Sequence, residues 1–222
     1  MNPTWDWGFA LSILPQLLAA TGVSLFAALA SFVAAMLIAL PLAVARDLHN
    51  RTVRIAIGAF VEFVRSTPVL IQIYVLYFTL PQFGIVMPAL LTGVIALSVH
   101  YATYVCEAYR AGLQSVGSGT REAASALGLR PMTAFFKVVL PQAIAPIVPA
   151  LGNYLIAIYK ETPLLSAIAI IELLQTAKLI GSESFRYTEP VTLVGLIFLA
   201  LSLASAQLIR VVERRSARWR GS

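Results

Sequence analysis

The chain has 222 residues, of which 59% are hydrophobic and 12% are charged. Because soluble domains average about 45–50% apolar and about 25% charged residues, this composition excludes an ordinary soluble domain and predicts an all-α integral membrane protein. The net charge of +6 does not indicate a nucleic-acid partner, since the basic residues are spread among loops and form no aromatic-interleaved patch.

Hydropathy predicts five membrane-spanning helices within a single domain over residues 1–222. Each predicted span is long enough to cross the roughly 30 Å hydrocarbon core at about 1.5 Å per residue. Before the first span, Trp5, Trp7 and Pro15 are typical of an interfacial segment, predicted over residues 3–18. No basic residue precedes Arg46, which argues against a cleavable signal peptide. The predicted spans are residues 19–45, 55–80, 88–113, 141–160 and 190–210.

The distribution of Lys and Arg predicts the orientation of the spans, because cytoplasmic connections are enriched in basic residues. An N-terminus outside and a C-terminus in the cytoplasm place most of the 16 Lys and Arg residues in cytoplasmic connections. These residues are Arg46, Arg51, Arg54, Arg110, Arg121, Arg130, Lys137, Arg210, Arg214, Arg215, Arg218 and Arg220. The connection over residues 116–141 is therefore predicted to be cytoplasmic.

This cytoplasmic connection contains signals for a short helix of about two turns. Ser118 or Thr120 is predicted to N-cap it, Glu122 suits the positive end of its dipole, and Gly128 is predicted to end it. Its side chains are mostly small, so the groove of another protein could approach the backbone closely. Pro131 then suits the start of a second helix, and Pro141 is predicted to limit its continuation. The alternative is an ordinary connector with a capped helix.

The region of residues 160–180 predicts a broken helix. Polar residues Lys160 to Thr162 precede Pro163, and the apolar piece that follows, residues 164–174, has only re-entrant or interfacial length. A sixth full crossing would place the basic C-terminus outside. We therefore expect a break at Pro163 and a half-length segment that folds back over a pore, as discontinuous helices do in transporters.

Charged residues inside the apolar segments are candidates for a transport pathway. Glu62 and Arg65 are three residues apart, as are Glu107 and Arg110, so each pair can neutralise itself or also serve a substrate. Lys160 and Glu161 are adjacent and point in different directions on a helix, which favours the pathway. His100 is predicted to be a satisfied core histidine. With a single cysteine in the chain, disulfides and Cys-based metal sites within one subunit are excluded, and no metal site is predicted.

The cytoplasmic connection resembles the signature loop of ABC importer permeases. Glu122-Ala123-Ala124 is followed after three residues by Gly128, after nine more by Val138, and then by Leu140-Pro141. The resemblance implies a pore subunit driven by a separate ATPase. It assigns coupling to that ATPase to Glu122, Ala123, Ala124, Gly128, Leu140 and Pro141.

Three further stretches resemble the polar amino acid uptake family, the histidine, glutamine and arginine importers of type I. Residues 62–72 are similar to its Glu-x-x-Arg-Gly-Thr-Pro-Leu-Leu-x-Gln stretch, residues 107–116 to Glu-x-x-Arg-Gly-Gly-Ile-x-Ser-Val, and residues 160–164 to Lys-Asp-Thr-Ser-Leu, which lies by the substrate site. The resemblance implies the type I importer permease fold in a bacterial inner membrane. The candidate pathway residues are Arg65, Thr67, Gln72, Glu107, Lys160, Glu161 and Thr162.

The resemblance also implies the partners and the kind of cargo. The expected partners are ABC ATPase subunits, an extracytoplasmic substrate-binding protein, a second permease copy or a homologous permease, membrane lipid and a small zwitterionic substrate. The chain contains no phosphate-binding loop, so ATP and Mg²⁺ are expected on the ATPase and no cofactor on this chain. Ser66 replaces a family Gly, and Glu161-Thr162-Pro163 replaces Asp-Thr-Ser, which adds ectoine-type solutes to the cargo candidates.

Two other function classes remain open at the level of sequence. An ion-coupled secondary transporter could use Glu62, Glu107 and Glu161, and a non-transporting structural subunit would need none of the pathway residues. An intramembrane enzyme is not predicted, because the sequence lacks His-Glu-x-x-His and Gly-x-Ser-x-Gly motifs and a carboxylate pair backed by histidine.

Overall fold

The computed structural model describes residues 5–46 and 50–217, with side chains described up to Val211 in the last helix. Arg218 and Arg220, which contributed to the predicted orientation, lie outside the described residues. Every regular element in this part of the chain is helical. The α-helices are α1 Trp7–Arg46, α2 Arg51–Ser66, α3 Val69–Tyr74, α4 Ala89–Gln114, α5 Ser118–Ala126, α6 Pro131–Ala134, α7 Leu140–Glu161, α8 Leu173–Ser184 and α9 Thr188–Ala217.

The predicted all-α membrane fold is confirmed. Four helical segments of the described chain are long and apolar enough to cross a membrane: Trp7–Arg46, Ala89–Gln114, Pro131–Ile168 and Thr188–Val211. The bent pair Arg51–Ser66 and Val69–Phe83 brings the number to five if it counts as one span.

The second predicted span, residues 55–80, is wrong as a continuous helix. Its two halves meet at an angle of 101°. Thr67 is extended at φ −103° and ψ 130° because the ring of Pro68 disfavours a helical residue before it. After α3 the chain widens into a π-helical turn, Val75–Thr79, and then tightens into a 3₁₀ turn, Leu80–Phe83.

The separate interfacial segment predicted over residues 3–18 is also wrong for its described part. From Trp7 onward the chain belongs to the continuous 40-residue helix α1, which contains Pro15 without a break. Ala10, Ile13 and Leu17 are buried, and the last two pack with Leu173 of α8. Tertiary packing therefore extends the helix through a region whose composition alone indicates an interface.

The core forms where small side chains let α1 and α4 approach each other. Ala27, Ala28, Ala35 and Ala39 of α1 are buried in one cluster with residues of α4 such as Leu97. In lipid, helix association depends on such close packing because water is absent between the helices. This packing makes α4 the central helix of the described chain.

The connection between α4 and α7 folds around α5. Gly128 ends α5 as predicted, since its φ is +69° and its N–H donates to Ser125 O at 2.9 Å. The predicted N-cap is wrong: Gly117 precedes the helix, and no side chain caps it. Pro131 begins α6 as predicted.

The prediction that Pro141 limits the following helix is wrong. A π-helical turn, Phe135–Val139, joins α6 to α7, and the combined segment is helical through Ile168. In this turn the Leu140 N–H donates to the carbonyl of Phe135. The wider turn shifts the hydrogen-bond pattern just before Pro141, which lacks an N–H, so the proline sits in the first turn of α7 without ending the helix.

The region around Pro163 is divided into two short helical pieces. After α7 the chain tightens into a 3₁₀ segment, Thr162–Ile168, and reverses at Ala169 with φ 59°. The carboxylate of Glu172 then caps α8. The apolar piece predicted over residues 164–174 is therefore shared between the 3₁₀ segment, an extended turn and the start of α8.

Replacing Gly112 by alanine is expected to lower the free energy of unfolding by about 1–3 kcal/mol. A Cβ at Gly112 would lie 2.3 Å from the Ile147 side chain and 2.9 Å from the backbone oxygen of Ala143, so α4 and α7 would have to separate. Thermal unfolding of the detergent-solubilised protein measures the effect. Gly22→Ala in α1 is the control, because nothing lies within 4 Å of its Cβ position. Equal shifts in both variants would contradict the predicted clash.

Candidate functional site

The elbow between α2 and α3 is attached to α4 by one side chain. Nε2 of Gln72 donates to Val64 O at 2.8 Å and to Thr67 O at 3.0 Å, and it lies 3.1 Å from Nδ1 of His100. His100 is buried, and the prediction of a satisfied core histidine is confirmed. Thr67 donates its hydroxyl to Phe63 O at 2.7 Å, so both candidate pathway residues of the elbow hold its geometry.

Arg65 points from this elbow onto a group of tyrosines, which we call the tyrosine cluster: Tyr101, Tyr104 and Tyr154. Its guanidinium carbon lies 4.8 Å from the centroid of the Tyr104 ring, a cation–π geometry. The three ring centroids lie between 5.8 and 6.4 Å apart. None of these tyrosines is among the candidate pathway residues predicted from the sequence, and Tyr154 lies about fifty residues along the chain from its partners.

Glu161 lies beside a different member of the tyrosine cluster. Its carboxyl group is beside the Tyr101 hydroxyl. Oε2 of Glu161 is buried, and no hydrogen-bond partner for it exists in the described part of the chain. A buried carboxylate oxygen without a partner is costly, so it marks a place where a cationic group would be stabilised.

The predicted self-pairing is found for one acid–base pair and is absent from the other. Among the described residues, Arg65 forms no ion pair with Glu62, whose carboxylate instead accepts a 3.5 Å bond from Ser66. Glu107 is held between two arginines, with Oε1 2.5 Å from Arg46 Nη1 and Oε2 3.1 Å from Arg110 Nη1. Glu107 therefore joins the ends of α1 and α4.

The remaining pathway candidates lie at the end of α7. Thr162 is fully buried and donates its hydroxyl to Tyr159 O at 2.8 Å. Lys160 is exposed. Among the described residues, neither side chain has a hydrogen bond or cation–π contact with the tyrosine cluster, whereas Glu161 lies beside Tyr101.

The residues that the sequence assigns to coupling lie on α5, at its end and at the start of α7. Glu122 and Ala123 are exposed, whereas Ala124 is buried against the rest of the chain. Leu127, at the end of the helix, is a large apolar side chain that is 79% exposed. It was not among the coupling candidates, although it lies between Ala124 and Gly128 in the sequence. Leu140 and Pro141 lie at the start of α7, with Pro141 exposed. The surface thus offers an acid, small side chains and one large apolar group.

Within the residues that the structure describes, no group of three or more His, Cys, Asp or Glu side chains could hold a metal ion.

The sequence pattern of the family described as "binding-protein-dependent transport system inner membrane component" matches residues 35–218. The chain belongs to this family. The match covers α4 to α7 and includes the signature loop, so the resemblance to ABC importer permeases is confirmed. Membership of this inner membrane family implies an ATPase and a binding protein as partners.

Similar proteins agree with this family. The chain is 44% identical to the probable amino-acid ABC transporter permease protein y4tG of Sinorhizobium fredii, over 95% of this chain and 93% of the relative. A chain of a solved amino acid ABC transporter with histidines has 32% identity and a TM-score of 0.90, over 96% of this chain and 99% of its own length. The MetNI methionine ABC transporter shares only the fold, with a TM-score of 0.65 and 20% identity, over 94% of this chain and 99% of that one.

The tyrosine cluster lies between the α2–α3 elbow, α4 and α7. The exposed face of α5 lies on the connection that carries the signature loop.

Proposed function

We propose that this permease imports amino acids or related zwitterions, ectoines included, by alternating access driven by ATP. The observation that carries the proposal is the arrangement of Arg65 and Glu161, which lie at different rings of the tyrosine cluster, Tyr104 and Tyr101, without pairing with each other. A substrate carboxylate would bind the Arg65 guanidinium, and a substrate cation would approach the unpartnered oxygen of Glu161. The names of the relatives, which refer to amino-acid transport, support this class of cargo.

The tyrosine rings supply the rest of such a site. Tyr101, Tyr104 and Tyr154 present π faces that stabilise a cationic group, and the phenol oxygens can hydrogen-bond a polar one. The hydrogen bonds of Gln72 and Thr67 hold the α2–α3 elbow, which carries Arg65, in place. Lys160 and Thr162 act at the end of α7, and Glu107 acts at the ion pair between α1 and α4. In this proposal the tyrosine rings are contacted by Arg65 and Glu161 instead.

The proposed assembly is based on the sequence, which contains no phosphate-binding loop, and on the exposed surface of α5. ATP and Mg²⁺ are bound by the partner ATPase subunits, which receive Glu122, Ala123, Ala124, Gly128, Leu140 and Pro141. This chain performs no chemical step, binds no cofactor and forms one permease domain over residues 1–222. A binding protein delivers substrate to the outer face, and a second copy or a homologous permease completes the pathway. The basic connections support an N-terminus outside and a C-terminus in the cytoplasm.

ATPase stimulation tests the proposal directly. The complex is reconstituted in lipid with its binding protein and ATPase, and hydrolysis is measured with a panel of polar amino acids and ectoines. A rise with one member identifies the cargo. Hydrolysis that ignores every member while uptake follows a proton or sodium gradient would favour the ion-coupled alternative, and assembly without any uptake would favour a structural subunit.

Reversal of the charge at Glu122 is expected to abolish this stimulation, with a loss of roughly tenfold or more. Glu122 is exposed in the middle of α5, outside its first turn, and lysine would oppose an ATPase groove selected for an acid. Co-purification of the ATPase and its ligand-dependent rate measure the effect. Glu183→Lys, an exposed glutamate on α8, is the matched control. Normal stimulation in the Glu122 variant would contradict the docking role of α5.

A further inference from the structure

Helix α5 is attached to α4 by a hydrogen bond that the family signature does not include. Nη2 of Arg121 donates to the backbone oxygen of Leu113 at 2.8 Å. Leu113 lies in the last turn of α4, whose final carbonyls have no partner within the helix. No basic residue of α4 itself lies in that turn. Arg121 therefore supplies, from the next helix, the cation that the negative end of α4 favours.

Beside this bond, α5 borders a cavity of about 420 Å³. Leu113 and Arg121, which form the bond, line it together with Ser125, Leu129, Phe135 and Val139, among others. Ala124 is the one buried residue of α5. The Arg121 bond thus lies in the wall of this cavity, and α5 also packs against α6 and the π-helical turn.

The Arg121 bond joins α5 to a helix that reaches the tyrosine cluster. Helix α4 carries the Glu107 ion pair near its C-terminal end and Tyr101 and Tyr104 of the tyrosine cluster further along. The helix is continuous from Ala89 to Gln114, so a pull at its last turn reaches these residues without crossing a break.

We infer that Arg121 is a positioning residue that passes the movement of α5 to α4, so that ATP-driven displacement of the coupling helix reaches the tyrosine cluster. This inference rests on the proposed function. It goes beyond docking, because Arg121 acts through Leu113 and not through the ATPase.

Uptake per ATP hydrolysed is the measurement that tests the inference. Arg121→Met removes the charge and the donor while keeping an extended side chain, and Arg121→Lys keeps a cationic donor. Arg130→Met is the matched control, since Arg130 is exposed in the same connection and makes no cap hydrogen bond. We expect uptake per ATP to fall roughly two- to fivefold in Arg121→Met, as fits the loss of one solvent-exposed charged hydrogen bond. Arg121→Lys and Arg130→Met are expected to stay near the wild-type ratio.

Amide hydrogen exchange tests the hydrogen bond between Arg121 and the backbone oxygen of Leu113. Without the guanidinium, the last turn of α4 is expected to fray, and amides near Ser115, which bonds to Ala111 O at 2.9 Å, are expected to exchange faster. A purely structural cap would raise exchange and leave uptake per ATP unchanged, and that result would overturn the inference. An equal loss in Arg130→Met would overturn it as well. A wild-type complex without ligand-dependent hydrolysis would instead count against the proposed function, while exchange still reports the Arg121 bond.

Discussion

Exchange of Glu161 for glutamine is expected to lower uptake and ligand-stimulated ATP hydrolysis by roughly 10- to 100-fold, with the amount of assembled complex unchanged. The buried Oε2 of Glu161 has no hydrogen-bond partner among the described residues, and the neighbouring Tyr101 hydroxyl does not neutralise its charge. A substrate cation would be its partner. Charged hydrogen bonds contribute about 1.5–3 kcal/mol, which corresponds to that fold-change. Glutamine keeps the size of the side chain and loses only the charge.

The matched control for Glu161 is Glu62→Gln. Glu62 is exposed on α2, three residues before Arg65, and its carboxylate accepts only a 3.5 Å bond from Ser66. This control removes an equal charge close to Arg65 without touching the tyrosine cluster. Initial rates of uptake in proteoliposomes, with the quantity of complex determined by gel filtration, separate transport from assembly. Similar losses in both variants would show that Glu161 acts through overall charge and not as a substrate partner.

Replacement of Glu172 by alanine is expected to lower the free energy of unfolding by about 2–5 kcal/mol. Glu172 is fully buried, and its carboxylate accepts the N–H of Leu174 at 2.9 Å and that of Gln175 at 2.7 Å. Ser24 of α1 lies 3.4 Å from the same carboxylate and accepts the Leu173 N–H at 3.2 Å. Alanine would leave the first turn of α8 uncapped and its donors unsatisfied among apolar side chains.

Two further substitutions separate the parts of this contact. Glu172→Gln retains one acceptor oxygen and is expected to fall between wild type and Glu172→Ala. Ser24→Ala removes only the bonds to α1, and its cost is not expected to add fully to that of Glu172→Ala, because the two residues share bonds. Unfolding midpoints followed by tryptophan fluorescence in detergent measure these differences. A midpoint of Glu172→Ala equal to that of wild type would contradict a capping role for this carboxylate.

The fold of the membrane segments could be predicted largely from local composition. A hydropathy window locates the spans because the cost of placing charge in hydrocarbon depends on each stretch by itself. The end of α5 at Gly128 and the start of α6 at Pro131 could also be predicted from the local sequence, since each depends on the backbone conformation that one residue allows. The predictions for Pro141 and residues 3–18 were wrong, because neighbouring turns and helices changed what the local chain does.

The candidate site could be predicted only in its parts. Arg65, Glu161 and Gln72 were candidates because a charge or amide in an apolar segment is conspicuous and because they lie in stretches that resemble the family motifs. Spacing could not decide whether Arg65 pairs with Glu62 or leaves it for another partner, since both fit the helix. In the structure, Arg65 contacts the ring of Tyr104 instead of pairing with Glu62. Glu172 and Leu127 were overlooked, because an acid or a leucine beside apolar residues carries no sign of its burial.

The sequence by itself determined that this protein is helical, embedded in a membrane and equipped with the loop of an importer permease, because these properties depend on residue types and short spacings. Only the tertiary structure decided that the α2–α3 elbow bends by 101°, that Glu172 closes a contact between α1 and α8, and that Arg121 reaches the end of α4. These contacts join residues far apart in the chain. Their partners are selected by packing geometry, which no local pattern encodes.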